Sequence, residues 1–142
     1  MSVLATVAER AAGASPLWAS ALLPEPRAGL RFSGRCPERH LLGVETIYEG
    51  YLLHHGTSRL FDQDDRDLAV LTGDYLYAAG LREICATGDL AAVDALAELI
   101  AACAARRGDG EPDADDALWD ETVAALRSEG VASRESSGRR PA

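Results

Sequence analysis

Residues 67–100 read DLAVLTGDYLYAAGLREICATGDLAAVDALAELI, and this stretch decides the fold. Apolar residues recur in it at three- and four-residue steps, the period of a helix rather than a strand. Gly88-Asp89 divides it, a helix stop followed by an N-cap. The first half opens at Asp64 or Asp65, with acids in the first turn that suit the helix dipole. Leu68, Leu71, Tyr75 and Ala78 line one face, and Val70, Tyr77, Leu81 and Ile84 another. Apolar surface on nearly all sides predicts a central, buried helix. The second half predicts a helix with Leu90, Val93, Ala97, Ile100 and Ala104 inward and Asp94 and Glu98 outward.

The same punctuation continues outward in both directions. Ser2 caps a first helix to about Ala12, with Gly13 as its stop, and Ser15-Pro16 opens a short helix through Leu23. Residues 23–35 hold two prolines and two glycines and read as a connector, anchored by Leu30 and Phe32. Pro37 starts a helix to about His55, stopped by Gly56, with Leu41, Val44, Tyr48, Tyr51 or Leu52, and His55 on one face. Glu45 and Glu49 lie on a different stripe of it. Beyond the Arg106-Arg107 pair and a turn at 108–112, Asp113 caps a last helix to about Ser128, with Leu118, Trp119, Val123 and Leu126 as its core residues. From Gly130 the chain is polar and glycine- or proline-interrupted, so 130–142 is expected to be a disordered tail. No run alternates apolar and polar residues for the length of a strand. The expectation is one all-α domain over 1–129, a bundle of five to six helices.

Glycine spacing adds a packing expectation. Gly43 and Gly50 are seven apart on one helix, as are Gly73 and Gly80 on another. Glycine inside a helix costs about 1 kcal/mol relative to alanine, so two such pairs predict helices in close approach along those stripes.

Composition excludes several classes of function. The 142 residues hold 23 acidic side chains against 14 basic ones, all arginine, for a net charge of −9. That charge argues against nucleic acid and against anionic membrane surfaces as partners. No 18-residue apolar run lacks charge, so no transmembrane segment is expected. The N-terminus lacks the basic-then-apolar pattern of a secretory signal. Cys36, Cys85 and Cys103 are odd in number and widely spaced, which places the chain in a reducing cytoplasm.

Three constellations carry candidate chemistry. Asp62, Asp64, Asp65 and Asp67 would bind Mg²⁺ only if the cluster is functional, and helix capping is the reading preferred for acids at a helix start. His54 and His55 point about 100° apart on a helix, too far to share one metal easily, so no metal ligand is assigned. Either would serve in acid–base work beside Glu49 or Tyr51. Asp74 lies mid-way along the most apolar helix, and as a buried carboxylate it needs a partner, as structural glue or as a site residue. His54, His55 and Asp74 are therefore the candidate catalytic residues, with Tyr51 and Tyr75 as candidate substrate-binding side chains. No nucleophile elbow, P-loop or dinucleotide fingerprint occurs.

The opening stretch resembles the middle of the trans-isoprenyl diphosphate synthases, the polyprenyl synthetase family. Ala69, Leu71, Gly73, Asp74, Leu76 and Ala78 fit the family's A-x-L-x-G-D-x-L-x-A helix, and Gly88-Asp89 its following turn. The helix ending Tyr51-Leu52-Leu53-His54-His55 is similar to the family helix ending L-I-H-D-D, with His54 on its histidine and His55 where its first aspartate belongs. The resemblance covers about half the chain and implies an isoprenoid-synthase-like partial bundle. Gly56-Thr57-Ser58 stands where the first Asp-rich, Mg²⁺-holding motif belongs, and the Arg-Arg-Gly segment after it is missing. The second such motif would fall past residue 142. What the resemblance implies is a component not active alone. It would be a non-catalytic or regulatory part of prenyl diphosphate metabolism, like the small subunit of a heterodimeric polyprenyl diphosphate synthase, with a larger prenyl synthase subunit or a second copy of itself as partner. Two alternatives stand beside it: a small helical enzyme using His54, His55 and Asp74, and a generic helical protein–protein interaction module.

Overall fold

The computed structural model describes the backbone of residues 2–138 and the side chains of 2–111 and 113–127. Six α-helices follow one another: α1 Val3–Ala14, α2 Pro16–Ala21, α3 Glu38–His55, α4 Arg66–Cys85, α5 Leu90–Gly108 and α6 Asp115–Gly138, with a 3-10 turn Pro112–Ala114 leading into the last. No strand occurs among the described residues, so the bundle is all-α. Among the described residues a single antiparallel bridge joins Leu22 to Phe61. Of the segment expected to be a disordered tail, the backbone of 130–138 continues α6, and 139–142 lies outside the described residues. Among the described residues no helix is long and apolar enough to cross a membrane.

Helix starts follow the capping chemistry. Ser2, Ser15, Asp65 and Asp89 each turn a side-chain oxygen onto a backbone N–H of the helix they precede. Gly88 makes the turn before Asp89 with φ +81°, a left-handed conformation that favours glycine. Helix α2 stops at Ala21 rather than Leu23. Leu23 donates instead to the Leu60 carbonyl, and the Asp62 N–H donates to the Ala21 carbonyl.

The crossing of α3 on α4 is the centre of the molecule. The two helices run antiparallel, with Gly43 against Gly80 and Gly50 against Gly73. A Cβ built on Gly50 would lie 2.9 Å from the Gly73 carbonyl oxygen, and one on Gly80 2.9 Å from the Gly43 oxygen. Both pairs expected from spacing are thus the points where two backbones touch. One core cluster lies on the α5–α6 side, with Phe32, Ile47, Ile84, Leu96, Trp119 and Leu126 fully enclosed; the other lies under α1 and α2, around Val7, Leu53, Phe61 and Leu76.

Two helical faces differ from expectation. Helix α4 is not apolar-buried all round: Ala69, Thr72, Gly73, Leu76, Gly80 and Ile84 face inward, Ala78 is exposed, and Leu71 is 56% exposed. Glycine stands at positions 73 and 80 because close approach to α3 leaves no room there for a larger side chain. Helix α5 is turned by about one residue. Ala92, Leu96, Leu99 and Cys103 are buried, Val93 and Ile100 flank them, Ala97 and Ala104 are exposed, and Leu90 is 70% exposed. Its many alanines define no face by themselves, so the two leucines decide it.

A pH-sensitive tie joins the starts of α3 and α5. His40 is fully buried, and its Nε2 lies 3.0 Å from Asp89 Oδ2. Burial pushes the Asp89 carboxyl up, but the Ala92 N–H, His40 and Arg39 together hold it below its ordinary value. Its stabilisation is therefore present above the ordinary carboxylate range and lost as pH falls through the depressed value. Asp89→Ala is expected to cost about 1 kcal/mol for the cap at neutral pH and to flatten the acid limb of stability. Urea unfolding of both proteins from neutral to acid pH checks this, and parallel acid limbs would count against it.

Candidate functional site

Two of the expected site residues, His54 and Asp74, meet at the C-terminal end of α3. Gly73 has no side chain, and the His54 ring fills that space: a Cβ on Gly73 would sit 2.6 Å from the ring carbon Cδ2. So placed, His54 stacks flat on Tyr77, with centroids 4.9 Å apart and planes 3° apart. Its Nε2 lies 3.0 Å from Asp74 Oδ1. The ring N–H is not aligned with that oxygen, so the contact is an ion pair that depends on the imidazole being protonated.

Asp74 is not buried, as α4 was expected to make it. Its side chain is 62% exposed, and its partner is His54. It sits one position round from Gly73, at the lip of the crossing, where solvent screens such a pair to about 0–1 kcal/mol.

His55 turns to the other side of α3 and meets the Tyr51 ring edge-on at 5.3 Å. Burial, then Arg107 and His54, lower its pKa. Tyr51 itself is buried and donates to Asp115 Oδ2 at 2.9 Å. Arg107 closes a triangle, with Nη2 3.3 Å from the Tyr51 oxygen and 3.2 Å from Asp115 Oδ2. Burial first, then Asp115, push the Tyr51 phenol up to about 12. It is therefore a neutral donor at any working pH. Removing it as Tyr51→Phe leaves Asp115 with one donor fewer and is expected to cost about 1–3 kcal/mol, read by denaturant unfolding. An unchanged midpoint would show that the phenol contributes nothing.

Tyr75 is remote from this group. It stacks on Trp18 of α2 at 4.8 Å and reaches the Arg10 carbonyl at 3.5 Å, on the opposite flank of α4. The structure therefore does not place it beside Tyr51. In the acidic run, Asp65 accepts from the Leu68 N–H and Asp62 from the Asp64 N–H, so both carboxylates are engaged with backbone. No three His, Cys, Asp or Glu side chains gather as a cation site among the described residues.

Sequence reasoning missed the most buried charges. Glu45 and Glu49, read as a separate stripe, are fully enclosed around Arg59, which is 4% exposed. Arg59 donates through Nη1 to Glu45 at 2.7 Å and through Nε to Glu49 at 2.9 Å. Glu45 also accepts from the Arg31 and Phe32 N–H groups, at 3.0 and 2.7 Å. Glu49 takes the Ser58 hydroxyl and the Arg59 N–H. The four-residue spacing of the two glutamates was visible, but nothing local marks Arg59 as their partner.

No family model matches the chain, and neither a curated protein nor a solved structure matches it.

Proposed function

We propose that the chain is a non-catalytic or regulatory component of prenyl diphosphate metabolism, acting with a larger prenyl synthase subunit or as a homodimer. One observation supports this reading above the others. Three of the residues that carry the resemblance, Gly73, Asp74 and His54, meet where α3 crosses α4: Gly73 rests on Gly50, and His54 lies over Gly73 and against Asp74. The sequence departures set the role, since no D-D-x-x-D motif follows His55 to hold Mg²⁺ for diphosphate ionisation. The test mixes the purified chain with a full-length trans-prenyl synthase and measures association, prenyl transfer and product length. Expected are no transfer by the chain alone and a change in the partner's product length or rate. Absence of both association and effect, with no homodimer in light scattering, would sink the idea.

A second reading rests on the His54–Asp74 pair, a surface acid–base couple at 3.0 Å. In a small helical hydrolase or lyase, His54 would do the acid–base work with Asp74 beside its ring. Hydrolytic turnover lost in both His54→Ala and Asp74→Asn would favour it over the first reading.

A further inference from the structure

Among the described residues three large apolar side chains stand open to solvent: Leu17, Leu71 and Leu90, at 59%, 56% and 70%. Leu90 opens α5, while the other two belong to the contact of α2 with α4. There the Trp18 and Tyr75 rings stack, and Trp18, Leu68 and Tyr75 are half-buried in one cluster. Leu71 lies one turn from both Leu68 and Tyr75 on the outward side of α4, and Leu17 adjoins Trp18. We propose that this flank docks a basic, leucine-bearing amphipathic helix of a partner protein. The proposal does not rest on the prenyl reading.

Side-chain chemistry supplies the anchor. Tryptophan, tyrosine and leucine with their faces half open are what a partner's apolar side chains bury most profitably, and exposed apolar surface with a polar border is the mark of an interaction site. A helix laid along the flank meets it with residues three and four apart.

Charge names the partner. Asp67 stands four residues before Leu71 and Asp74 three after it, both exposed on the same ridge of α4. Asp74 is shared with His54. The arginines closest in sequence to the ridge and to Tyr75's contact on α1 are turned elsewhere: Arg66 donates to the His54 carbonyl at 3.2 Å, and Arg10 to Glu83 at 2.7 Å. Helix α2, PLWASA, carries no charge. The apolar strip therefore has an acidic border, which arginine or lysine beside the partner's leucines would complement. A second copy fits poorly, because two-fold pairing would set the same acidic border against itself. An anionic membrane surface is repelled for the same reason.

The test titrates the ¹⁵N-labelled full chain with a synthetic helical peptide of about four turns, with leucine along one face and arginine beside it. Two comparison peptides carry glutamate in place of arginine, or serine in place of leucine. Expected is a saturable shift of the amides of α2 and of residues 67–78, absent with the glutamate peptide and about tenfold weaker with the serine peptide. Leu71→Ser should weaken binding about tenfold, and Asp67→Asn about two- to threefold. Leu90→Ser, an equally open leucine on another helix, should leave it unchanged. Overturning results are no saturable shift, shifts centred on α5, either comparison peptide binding as tightly as the first, full binding by Leu71→Ser, or an equal loss in Leu90→Ser. If Leu71→Ser does not fold, Leu17→Ser decides in its place. Light scattering of the free chain adds one more: a dimer dispersed by Leu71→Ser would mean that the flank meets a second copy, and would overturn the proposal.

Discussion

Replacing Gly80 by alanine is expected to destabilise the protein, although the same change in an open helix would stabilise it. Alanine gains about 1 kcal/mol of helix propensity over glycine. Against that, the new Cβ would lie 2.5 Å from Ile47 Cγ1, 2.9 Å from the Gly43 oxygen and 3.0 Å from the Ile47 nitrogen. The first neighbour is a side chain and can turn away. The other two are backbone, so relief requires α3 and α4 to separate, which loosens Gly50 from Gly73 one turn pair further along. Overpacking of this kind costs about 1–3 kcal/mol, so alanine should be neutral to about 2 kcal/mol destabilising, and Gly80→Val should lose about 3 kcal/mol or more. Gly13→Ala is the control: nothing lies within 4 Å of that position, and the substitution should stabilise by up to about 1 kcal/mol. Guanidinium unfolding of the three variants separates the cases. Equal gains at Gly13 and Gly80 would mean that close approach is not why glycine stands at the crossing.

The second large effect belongs to Arg59. Arg59→Met keeps a long apolar stem but leaves Glu45 and Glu49, both fully buried, without their shared cation. Removing one partner of a buried pair costs about 3–5 kcal/mol, mostly the penalty of the stranded charge. Glu45 retains the Arg31 and Phe32 N–H groups, and Glu49 retains Ser58 and the Arg59 N–H. The loss should therefore be partly recovered by Glu49→Gln in the same background, since a neutral amide is cheaper to bury than an unpaired carboxylate. Additive losses in the double variant would contradict this account of the network.

How far the sequence could be read follows from where each signal is written. Caps are local, a side-chain oxygen two or three residues before the N–H it meets, so Ser2, Ser15, Asp65 and Asp89 and the helices behind them were readable. The glycine pairs were readable because their cost is intrinsic to a helix and asks for a reason. Faces were harder. Helix α5 is so rich in alanine that its orientation hangs on Leu96 and Leu99, and α4 hides Ala69, Gly73 and Gly80 together with Leu76 and Ile84 while Leu71 and Asp74 stay in solvent. Long-range polar partners were not readable. Tyr51 meets Asp115 across 64 positions, and His40 meets Asp89 across 49, with nothing in either neighbourhood to name the other.

The glutamates of α3 bear on how the chain stores the instructions for its irregular parts. The connector before α3 and the loop after it have few backbone bonds of their own, yet their amides are held by Glu45 and Glu49. The path of those segments is thus encoded in large part on a neighbouring helix, with Ser58 and Arg59 as the loop's own contribution. Their exposed positions are free to drift in sequence, while two glutamates and one arginine carry the information that such drift would otherwise erase.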